Sequence, residues 1–501
     1  MIHSAHKIFL LVLLSFSVLH AQKDSLTTKK LVSNTSPLNE LREQLDDYFN
    51  DPNFSNALCG VLVKSAKTGE VLYKRNADKL FIPASNMKLF TSAAGLLLLG
   101  ADYTYETTLS VNGELSKGAL QGDLIIEGSG DPTISGRFYD GNITKVFENW
   151  ADTLKARGIW IINGDIIGDD SLFDNEGLGK GWELDYESEW YAAPSGALSF
   201  NDNAIEVRIE PTQPNFPAKI SLIPDTKYVS VISKVITDED EPEEPIKVAR
   251  VRGTNLISVT GNINVDSKPI SKHISVANPT MYFLSVLKEV LERKGIVVKG
   301  QVESINNSLK KISQDDLTPV LVHRSVPLKM ILRELNKNSN NFYAEQLLKT
   351  IGSEIYNYGT IENGVKACKD LFNNMGINTD NMVMADGSGL SRLDLVTPRQ
   401  IAYLLSYMYK SDVFNDYYDS LPIAGVDGTL IDRMKKSSAE NNVHAKAGYN
   451  TNVSSLSGYL KTLSGEPLIF SIVINNFLMP PALANYIEDN VCIRLVNFNR
   501  N

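Results

Sequence analysis

The chain has 501 residues, of which 43% are hydrophobic, 22% charged and 8% aromatic. This composition excludes disordered and fibrous proteins, and at roughly 150 residues per domain the length predicts about two to four domains. Acidic residues outnumber basic ones, giving a formal net charge of −10 with no basic block along the chain. Because a nucleic-acid-binding surface needs clustered basic side chains, we expect no nucleic acid among the partners.

The first 21 residues have the pattern of a cleavable signal peptide. A weakly basic start containing Lys7 precedes an apolar run over residues 8–19, which is too short to span a bilayer. Ala21 offers a cleavage point, and no later apolar run reaches about 20 residues. We therefore expect export to the periplasm or another extracytoplasmic compartment, with no transmembrane anchor after cleavage. The alternative is a buried N-terminal helix.

Cysteine and histidine are both scarce, which narrows the possible chemistry. The three cysteines (Cys59, Cys368 and Cys492) are too few for a disulfide framework, and their apolar neighbours predict small buried side chains. None of the three histidines beyond the leader has metal-ligand spacing, and no Gly-x-Ser-x-Gly elbow occurs. We therefore expect no metal and no cofactor, and a hydrolase of this sequence would need a base other than histidine.

The predicted elements divide the chain into two α/β ends and a β-rich middle. Residues 37–51 have helical spacing, residues 60–73 the pattern of a hairpin, and residues 86–99 that of a largely buried helix. From residue 101 to residue 273, β-branched stretches broken by Gly, Asn, Asp and Pro predict several short strands. Helical spacing dominates residues 281–409, and the C-terminal segment has the pattern of a strand over residues 453–460, a strand over 467–474 and a helix over 482–498. An α/β domain split in sequence by a β-rich insertion is therefore expected.

The first candidate for chemistry is the Ser-x-x-Lys pair Ser85 and Lys88. Three residues apart at a helix start, the two side chains lie on one face and near each other. A desolvated lysine that has lost its proton can act as base toward an adjacent hydroxyl, while the helix N-terminus stabilises charge developing at an attacked carbonyl. The same spacing occurs elsewhere in the chain, so a helix N-terminal serine beside a solvated lysine is the alternative. The preceding hairpin and the apolar helix distinguish this copy.

Two further motifs follow in the second half of the chain. Ser339 and Asn341 form a Ser-x-Asn motif between two helical stretches, where a connection can expose a hydroxyl and an amide. Lys446 and Gly448 form a Lys-x-Gly motif just before a strand pattern. Because each motif alone is weak, their order along the chain carries the argument.

This order of motifs resembles that of penicillin-binding proteins and serine β-lactamases. Within that group the chain resembles the class C low-molecular-mass penicillin-binding proteins, which are D-alanyl-D-alanine carboxypeptidases and endopeptidases. The long gap between Lys88 and Ser339 is also similar to this family, which inserts two domains there, whereas β-lactamases keep the gap much shorter. The segments that carry the resemblance are residues 83–88, 128–132, 199–203, 338–341, 386–391 and 421–430.

The resemblance implies a fold class and a domain organisation. We expect a multidomain α/β protein whose serine β-lactamase/penicillin-binding-protein-like catalytic domain, an antiparallel sheet flanked by helices, is split by a β-rich insertion of two smaller domains. The expected boundaries are a signal peptide at 1–21, a catalytic domain at 22–103 and 277–501, an inserted domain at 104–203 and 260–276, and a second inserted domain at 204–259 nested in the first.

The resemblance also implies a reaction. Ser85 attacks the carbonyl of a D-Ala-D-Ala or D-Ala-diaminopimelate bond in a peptidoglycan stem peptide, and Lys88 accepts its proton. Ser339 relays a proton to the leaving amine, and water then hydrolyses the acyl-enzyme. β-Lactam antibiotics are expected to act as covalent inhibitors by acylating Ser85.

The implied substrate-binding residues are Asn341, Lys446, Gly448 and Tyr449. Asn341 holds the substrate amide, Lys446 attracts the terminal carboxylate, and the backbone N–H of Tyr449 completes an oxyanion hole with that of the nucleophile. The family pattern is Lys-Thr-Gly-Thr, so the two threonine hydroxyls of that pattern are absent where this chain has Ala447 and Tyr449. One of them ordinarily helps to bind the carboxylate, and such a charge-assisted hydrogen bond contributes roughly 1.5–3 kcal/mol.

This departure leaves alternatives to an efficient carboxypeptidase. One is a catalytically impaired peptidoglycan-binding or scaffolding protein of the same fold, which Ala447 and Tyr449 favour. A β-lactamase is a weaker alternative, because the long insertion disfavours it. The nucleophile, the base and the Ser-x-Asn motif all remain, and they favour the enzyme.

Overall fold

The computed structural model describes residues 36–240 and 244–500, so the predicted signal peptide lies outside the described residues. The helices are α1 (Pro37–Phe49), α2 (Met87–Leu98), α3 (Lys145–Ala156), α4 (Pro279–Arg293), α5 (Leu328–Lys337), α6 (Asn341–Tyr356), α7 (Ile361–Asn374), α8 (Pro398–Met408), α9 (Phe414–Ser420) and α10 (Pro481–Val496). The strands are β1 (Leu58–Ser65), β2 (Val71–Arg75), β3 (Glu106–Ser116), β4 (Ala119–Glu127), β5 (Ile161–Ile162), β6 (Ile166–Asp169), β7 (Ala204–Glu210), β8 (Lys219–Ile223), β9 (Ser230–Ser233), β10 (Ile236–Asp238), β11 (Lys247–Arg250), β12 (Leu256–Thr260), β13 (Asn262–Asn264), β14 (Ile270–Ser275), β15 (Val297–Val298), β16 (Val302–Ser304), β17 (Thr318–Arg324), β18 (His444–Asn450), β19 (Val453–Lys461) and β20 (Pro467–Asn475).

A five-stranded antiparallel sheet in the order β18-β19-β20-β1-β2 joins the two ends of the chain. Helices α1 and α10 pack on one face of this sheet, and α2 with α5 to α9 forms a larger apolar core on the other. Because both faces are covered, β19 and β20 are buried along almost their whole length. The expected antiparallel sheet flanked by helices is confirmed.

Helix α2 is the largely buried helix predicted from its apolar sequence, and ten of its twelve residues are buried. Its Gly95 lies against α6, where an added Cβ would come within 2.9 Å of Leu347 Cδ2. The missing side chain therefore lets α2 and α6 approach closely. As a consequence, the start of α6 at Asn341 is held beside the start of α2, next to Ser85.

Between α2 and α5 the chain builds two further apolar cores, which confirms the β-rich insertion. The first core lies between α3, α4 and a seven-stranded sheet that contains β3 to β6 and β15 to β17. The second contains small sheets built from β7 to β14. Each core has its own set of buried aliphatic side chains.

We propose that the insertion extends to Arg324, beyond the sequence-based boundary at residue 276. Phe283 of α4 packs edge-on against Phe147 of α3 at 4.9 Å between ring centroids. Strand β17, which ends at Arg324, pairs antiparallel with β3. Strand β14 pairs with β7, which favours adding residues 270–275 to the nested core. Helical spacing predicts a helix that begins near residue 281, but it does not reveal which sheet that helix covers.

The three cysteines are buried and free, as their apolar neighbours predict. Among the residues that the structure describes, none of the helices combines the length and the hydropathy of a membrane-spanning segment.

Candidate active site

Ser85 and Lys88 are in hydrogen-bonding contact at the start of α2. Ser85 lies in a short 3-10 turn directly before the helix, and Lys88 Nζ is 3.0 Å from Ser85 Oγ. Ser85 is half-buried, whereas Lys88 is fully buried. Ala84 has a φ of 47°, and Gly389 packs against its carbonyl. A left-handed alanine is uncommon and persists only where surrounding contacts hold it, so the turn that carries Ser85 is strained.

Two fixed acceptors hold the amine of Lys88. Asn341 Oδ1 lies 2.5 Å from Lys88 Nζ, and the backbone carbonyl of Ser388 lies 2.7 Å from it. A neutral amine has two N–H groups and one lone pair. The two acceptors can take both N–H groups, which leaves the lone pair directed at Ser85 Oγ. This geometry suits a lysine that removes a proton from the serine hydroxyl.

The pKa of Lys88 is lowered to about 7 by burial, although nearby carboxyl groups oppose the shift. These groups are Asp386, Glu345 and Asp394, all buried. Glu345 accepts a hydrogen bond from the backbone N–H of Ser388 at 2.8 Å, and burial together with the charge of Asp386 raises its pKa to about 8. The site residues predicted from the sequence include neither Glu345 nor Ser388. The available signal was segment 386–391, which carries part of the family resemblance.

The Ser-x-Asn motif lies between α5 and α6, as predicted. Ser339 is half-buried on this connection and has a φ of 54°. Asn340 caps α6, its Oδ1 accepting from the N–H of Tyr343 at 3.2 Å. The side-chain amide of Asn341 donates to the carbonyl of Tyr191 at 2.8 Å. Through its contacts with Lys88 and Tyr191, Asn341 connects the buried lysine to the insertion.

The Lys-x-Gly motif lies on β18, the edge strand of the five-stranded sheet, and contacts the turn that carries Ser85. Asn86 Nδ2 donates to the carbonyl of Lys446 at 2.9 Å. A Cβ added at Gly448 would lie 2.8 Å from the backbone nitrogen of Ser85, closer than real Cβ contacts allow. Glycine at this position therefore permits the strand to approach Ser85.

Lys446 is the second fully buried lysine of the site. Burial and the positive charge of Lys88 lower its pKa well below the usual range. Its Nζ donates to the carbonyl of Ala447 at 2.7 Å. Tyr449 is 59% exposed, and Asn450 donates its side-chain amide to the carbonyl of Gly389 at 3.0 Å. Asn450, the polar side chain that follows Ala447 and Tyr449 on the strand, is therefore already hydrogen-bonded within the protein.

Direct contacts therefore connect Asn341 and the Lys-x-Gly strand to the Ser85–Lys88 pair, and Ser339 lies two residues from Asn341. A serine and a buried lysine, paired at a helix start beside the edge strand of an antiparallel sheet, define the class of serine hydrolases that includes penicillin-binding proteins.

The chain belongs to the D-Ala-D-Ala carboxypeptidase 3 (S13) family, whose model matches residues 41–494. A D-alanyl-D-alanine carboxypeptidase from Actinomadura sp. is 35% identical over 474 residues, covering 92% of this chain and 85% of that protein. The crystal structure of penicillin-binding protein 4 from Haemophilus influenzae is 26% identical with a TM-score of 0.79, covering 90% of this chain and 99% of that chain. A second structure of that protein, complexed with a β-lactam, is 26% identical with a TM-score of 0.73 and covers 89% and 98%. The chain is a hydrolase, a serine-type D-alanyl-D-alanine carboxypeptidase.

Proposed function

We propose that this carboxypeptidase cleaves the D-alanyl-D-alanine end of peptidoglycan stem peptides with Ser85 as nucleophile and Lys88 as base. The observation that carries the proposal is the 3.0 Å contact between Ser85 Oγ and a buried amine whose pKa is lowered to about 7. Ser85 Oγ bonds to the substrate carbonyl carbon and its proton passes to Lys88 Nζ. The C–N bond then breaks, D-alanine leaves, and water cleaves the resulting ester and restores the Ser85 hydroxyl.

Ser339 and Asn341 are proposed to act on either side of Lys88. The hydroxyl of Ser339 relays the proton from Lys88 to the leaving amine. Asn341 orients the Lys88 amine through its Oδ1, and a carbonyl oxygen has a second lone pair that can accept an N–H of the substrate. A single side chain would therefore position both the base and the substrate amide.

The edge strand is proposed to bind the substrate backbone. An extended peptide can add to a free sheet edge, and the close approach of Gly448 to Ser85 favours an oxyanion hole made by the backbone N–H groups of Ser85 and Tyr449. Lys446 would attract the terminal carboxylate. A bound carboxylate favours the charged form of Lys446, and so it opposes the effect of burial on the pKa of that lysine.

The same nucleophile is proposed to react with β-lactams and with peptide cross-links. The β-lactam complex of the Haemophilus influenzae protein supports binding of such inhibitors here. Endopeptidase cleavage at D-Ala-diaminopimelate would use the same acyl donor with a different leaving amine. An extracytoplasmic location follows from a cell-wall substrate and is consistent with the signal-peptide pattern of residues 1–21.

One experiment tests the assignment and separates the alternatives. The protein is incubated with a fluorescent penicillin and, in parallel, with a muropeptide ending in D-Ala-D-Ala. Ser85→Ala should lose both activities, whereas Ser92→Ala, a serine on the same helix whose hydroxyl bonds the carbonyl of Lys88 at 2.6 Å, should keep them. Labelling that survives in Ser85→Ala would overturn the nucleophile.

The reactions of the wild-type protein with these two compounds distinguish a peptidase from a binding protein and from a β-lactamase. Release of D-alanine or cleavage of a cross-bridge supports the peptidase. Labelling without either favours an impaired peptidoglycan-binding protein, and rapid turnover of the penicillin favours a β-lactamase.

A further inference from the structure

Asp202, a carboxylate of the insertion, is hydrogen-bonded to the α5–α6 connection that carries Ser339. Asp202 Oδ2 accepts hydrogen bonds from Asn340 Nδ2 at 3.1 Å and from Arg137 Nε at 3.0 Å and Nη2 at 2.5 Å. The same arginine donates through Nη1 to Glu334 on α5 at 2.8 Å. The Asp202 side chain is only 9% exposed. The insertion therefore contacts both the last turn before Ser339 and the first residue after it.

The backbone is left-handed on both sides of this contact. Ser339 has a φ of 54°, and Asn201, Asp202 and Asn203 have φ values of 51°, 55° and 50°. Asn and Asp adopt such angles more readily than other residues with side chains, whereas a serine does so rarely and only where neighbouring contacts hold it. Asn340 connects the two left-handed segments, because it caps α6 through Oδ1 and donates to Asp202 through Nδ2.

We propose that Asp202 is a positioning residue of the insertion that, with Arg137, holds Asn340 and thereby fixes the Ser339 hydroxyl where it relays the proton. This inference rests on the proposed relay role of Ser339. It assigns the insertion a part in acylation, because the relay serine is in place only when the Asp202 carboxylate is docked on the α5–α6 connection.

If the Asp202 contact served only to dock the insertion, the loss of another docking contact on α6 would slow acylation equally. A second carboxylate of the insertion, Asp174, bonds the buried Lys349 of α6 at 2.6 Å. Lys349 lies more than two helical turns beyond Asn341. Loss of Asp174 therefore weakens docking of the insertion on the same helix without touching Ser339, which makes Asp174→Ala the matched control for Asp202→Ala.

The test measures the rate constant of acylation by a fluorescent penicillin and the dissociation constant of the preceding complex, with kcat and KM on a D-Ala-D-Ala peptide. Asp202→Ala should lower the acylation rate constant and kcat by about tenfold or more with little change in KM, because small displacements of a catalytic group have large effects on rate. Asp174→Ala should acylate at the wild-type rate even if its Tm falls.

Substitutions that interchange amide and carboxylate at positions 340 and 202 give a pattern of acylation rates that a folding defect would not produce. Asn340→Asp keeps the helix cap but cannot donate to Asp202, so it should lose acylation as Asp202→Ala does. Asp202→Asn retains an oxygen acceptor for Asn340 and should keep most of the activity. Asp202 Oδ2 accepts from both Asn340 and Arg137, so Asn340→Asp places two carboxylates against each other beside the arginine. The double variant Asp202→Asn/Asn340→Asp removes this like-charge contact and leaves one carboxylate for Arg137 to bind, so we expect it to acylate faster than Asn340→Asp alone.

The outcomes that overturn the inference are distinct from those that overturn the proposed function. An equal fall of the acylation rate constant in Asp202→Ala and Asp174→Ala would show that the rate depends only on docking of the insertion. A wild-type rate constant in Asp202→Ala or Asn340→Asp would remove the positioning role of Asp202. If Asp202→Ala does not fold, the acylation rates of Asn340→Asp and of the double variant test the positioning role instead. An unchanged rate in Ser339→Ala would overturn the relay itself, whereas a loss there beside an active Asp202→Ala overturns only the inference.

Discussion

The side-chain amide of Asn86 donates to the carbonyl of Lys446 at 2.9 Å and so joins the turn that carries Ser85 to the edge strand. The two residues are 360 positions apart in the chain, and both are fully buried. On the neighbouring stretch of the strand, Gly448 lies against the backbone nitrogen of Ser85. This hydrogen bond therefore sets the distance between the proposed nucleophile and the strand that is proposed to bind substrate.

Removal of this bond should impair both acylation and stability. Asn86→Ala leaves the Lys446 carbonyl without its donor, which costs roughly 1–3 kcal/mol of unfolding free energy for a buried group. We expect acylation by penicillin to slow by about tenfold, since the oxyanion-hole geometry relaxes. Stopped-flow labelling and thermal unfolding measure the two effects.

Tyr459→Phe is the matched control, because it removes one buried hydrogen bond to a carbonyl, that of Leu405 at 2.8 Å, on the helix-covered part of the sheet. It should lower the Tm and leave acylation unchanged. Similar acylation rates in the two variants would contradict the link between Asn86 and the site.

The acylation rate should follow the protonation of Lys88. Because the neutral amine of Lys88 is the proposed base and its pKa is lowered to about 7, the rate should rise with pH and reach half its plateau near pH 7. Lys88→Arg keeps its charge at all accessible pH values and should not acylate. The measurement is the second-order acylation rate between pH 5 and 9, and a flat profile would exclude Lys88 as the base.

Lys88 should also give folding stability a pH dependence. Its pKa lies near 10.5 in a solvated lysine and about 7 in the folded protein, so between these values the unfolded chain binds the additional proton. The contribution of this group to stability therefore rises with pH from about 7 to 10.5. Urea unfolding of Lys88→Met should lack this increase, and an unchanged slope would contradict the burial of a neutral amine.

Asp131 and His323 form a buried pair in the insertion whose facing atoms are unsatisfied. Asp131 Oδ2 lies 3.6 Å from His323 Nε2, and neither atom has a hydrogen-bond partner within the described chain. Burial raises the pKa of Asp131 to about 6 and lowers that of His323 to about 4. Between about pH 4 and 6 the folded state holds a proton on Asp131 that the unfolded chain releases, so the contribution of Asp131 to stability falls as the pH rises and is lost above about 6. Over nearly the same range the unfolded chain holds a proton on His323 that the folded state releases, so the contribution of His323 rises with pH and offsets that of Asp131.

Asp131→Asn should stabilise the protein at neutral pH. The amide removes the buried charge, can donate to His323, and keeps an oxygen for the hydrogen bonds from Thr133 at 2.7 Å. We expect the unfolding free energy at pH 7 to increase by about 1 kcal/mol, as for one hydrogen bond gained. Asp131→Ala, which loses the Thr133 bonds, should destabilise. Equal destabilisation by both substitutions in urea titrations would refute this account.

A hydroxyl at position 447 should improve binding of substrates that end in a carboxylate. Ala447→Thr adds the group that the family pattern contains, and a gain of roughly 1.5–3 kcal/mol corresponds to a KM about ten- to a hundredfold lower. Ala447→Val has nearly the same shape without the hydroxyl and should leave KM unchanged. Steady-state kinetics on a D-Ala-D-Ala peptide compare the two, and an equal effect of both variants would assign the change to packing.

Local patterns in the sequence predicted elements and contacts between near neighbours. The spacing of Ser85 and Lys88 placed their side chains together, and the structure has them in contact. Apolar periodicity predicted a helix over residues 86–99 and strands over 453–460 and 467–474, close to the observed α2, β19 and β20. Such features depend on a few adjacent residues, because helix and strand geometry repeat over short distances.

Only the tertiary structure decided how the site is completed. The Ser388 carbonyl that holds Lys88 is 300 residues away, and Asp202 lies 138 residues before Asn340. The pKa of Lys88 likewise depends on the helices that bury it, and the place of α4 depends on the sheet that it covers. Spacing along the chain carries no information about such pairs, because packing between distant segments brings them together and removes the water that would otherwise solvate their charges.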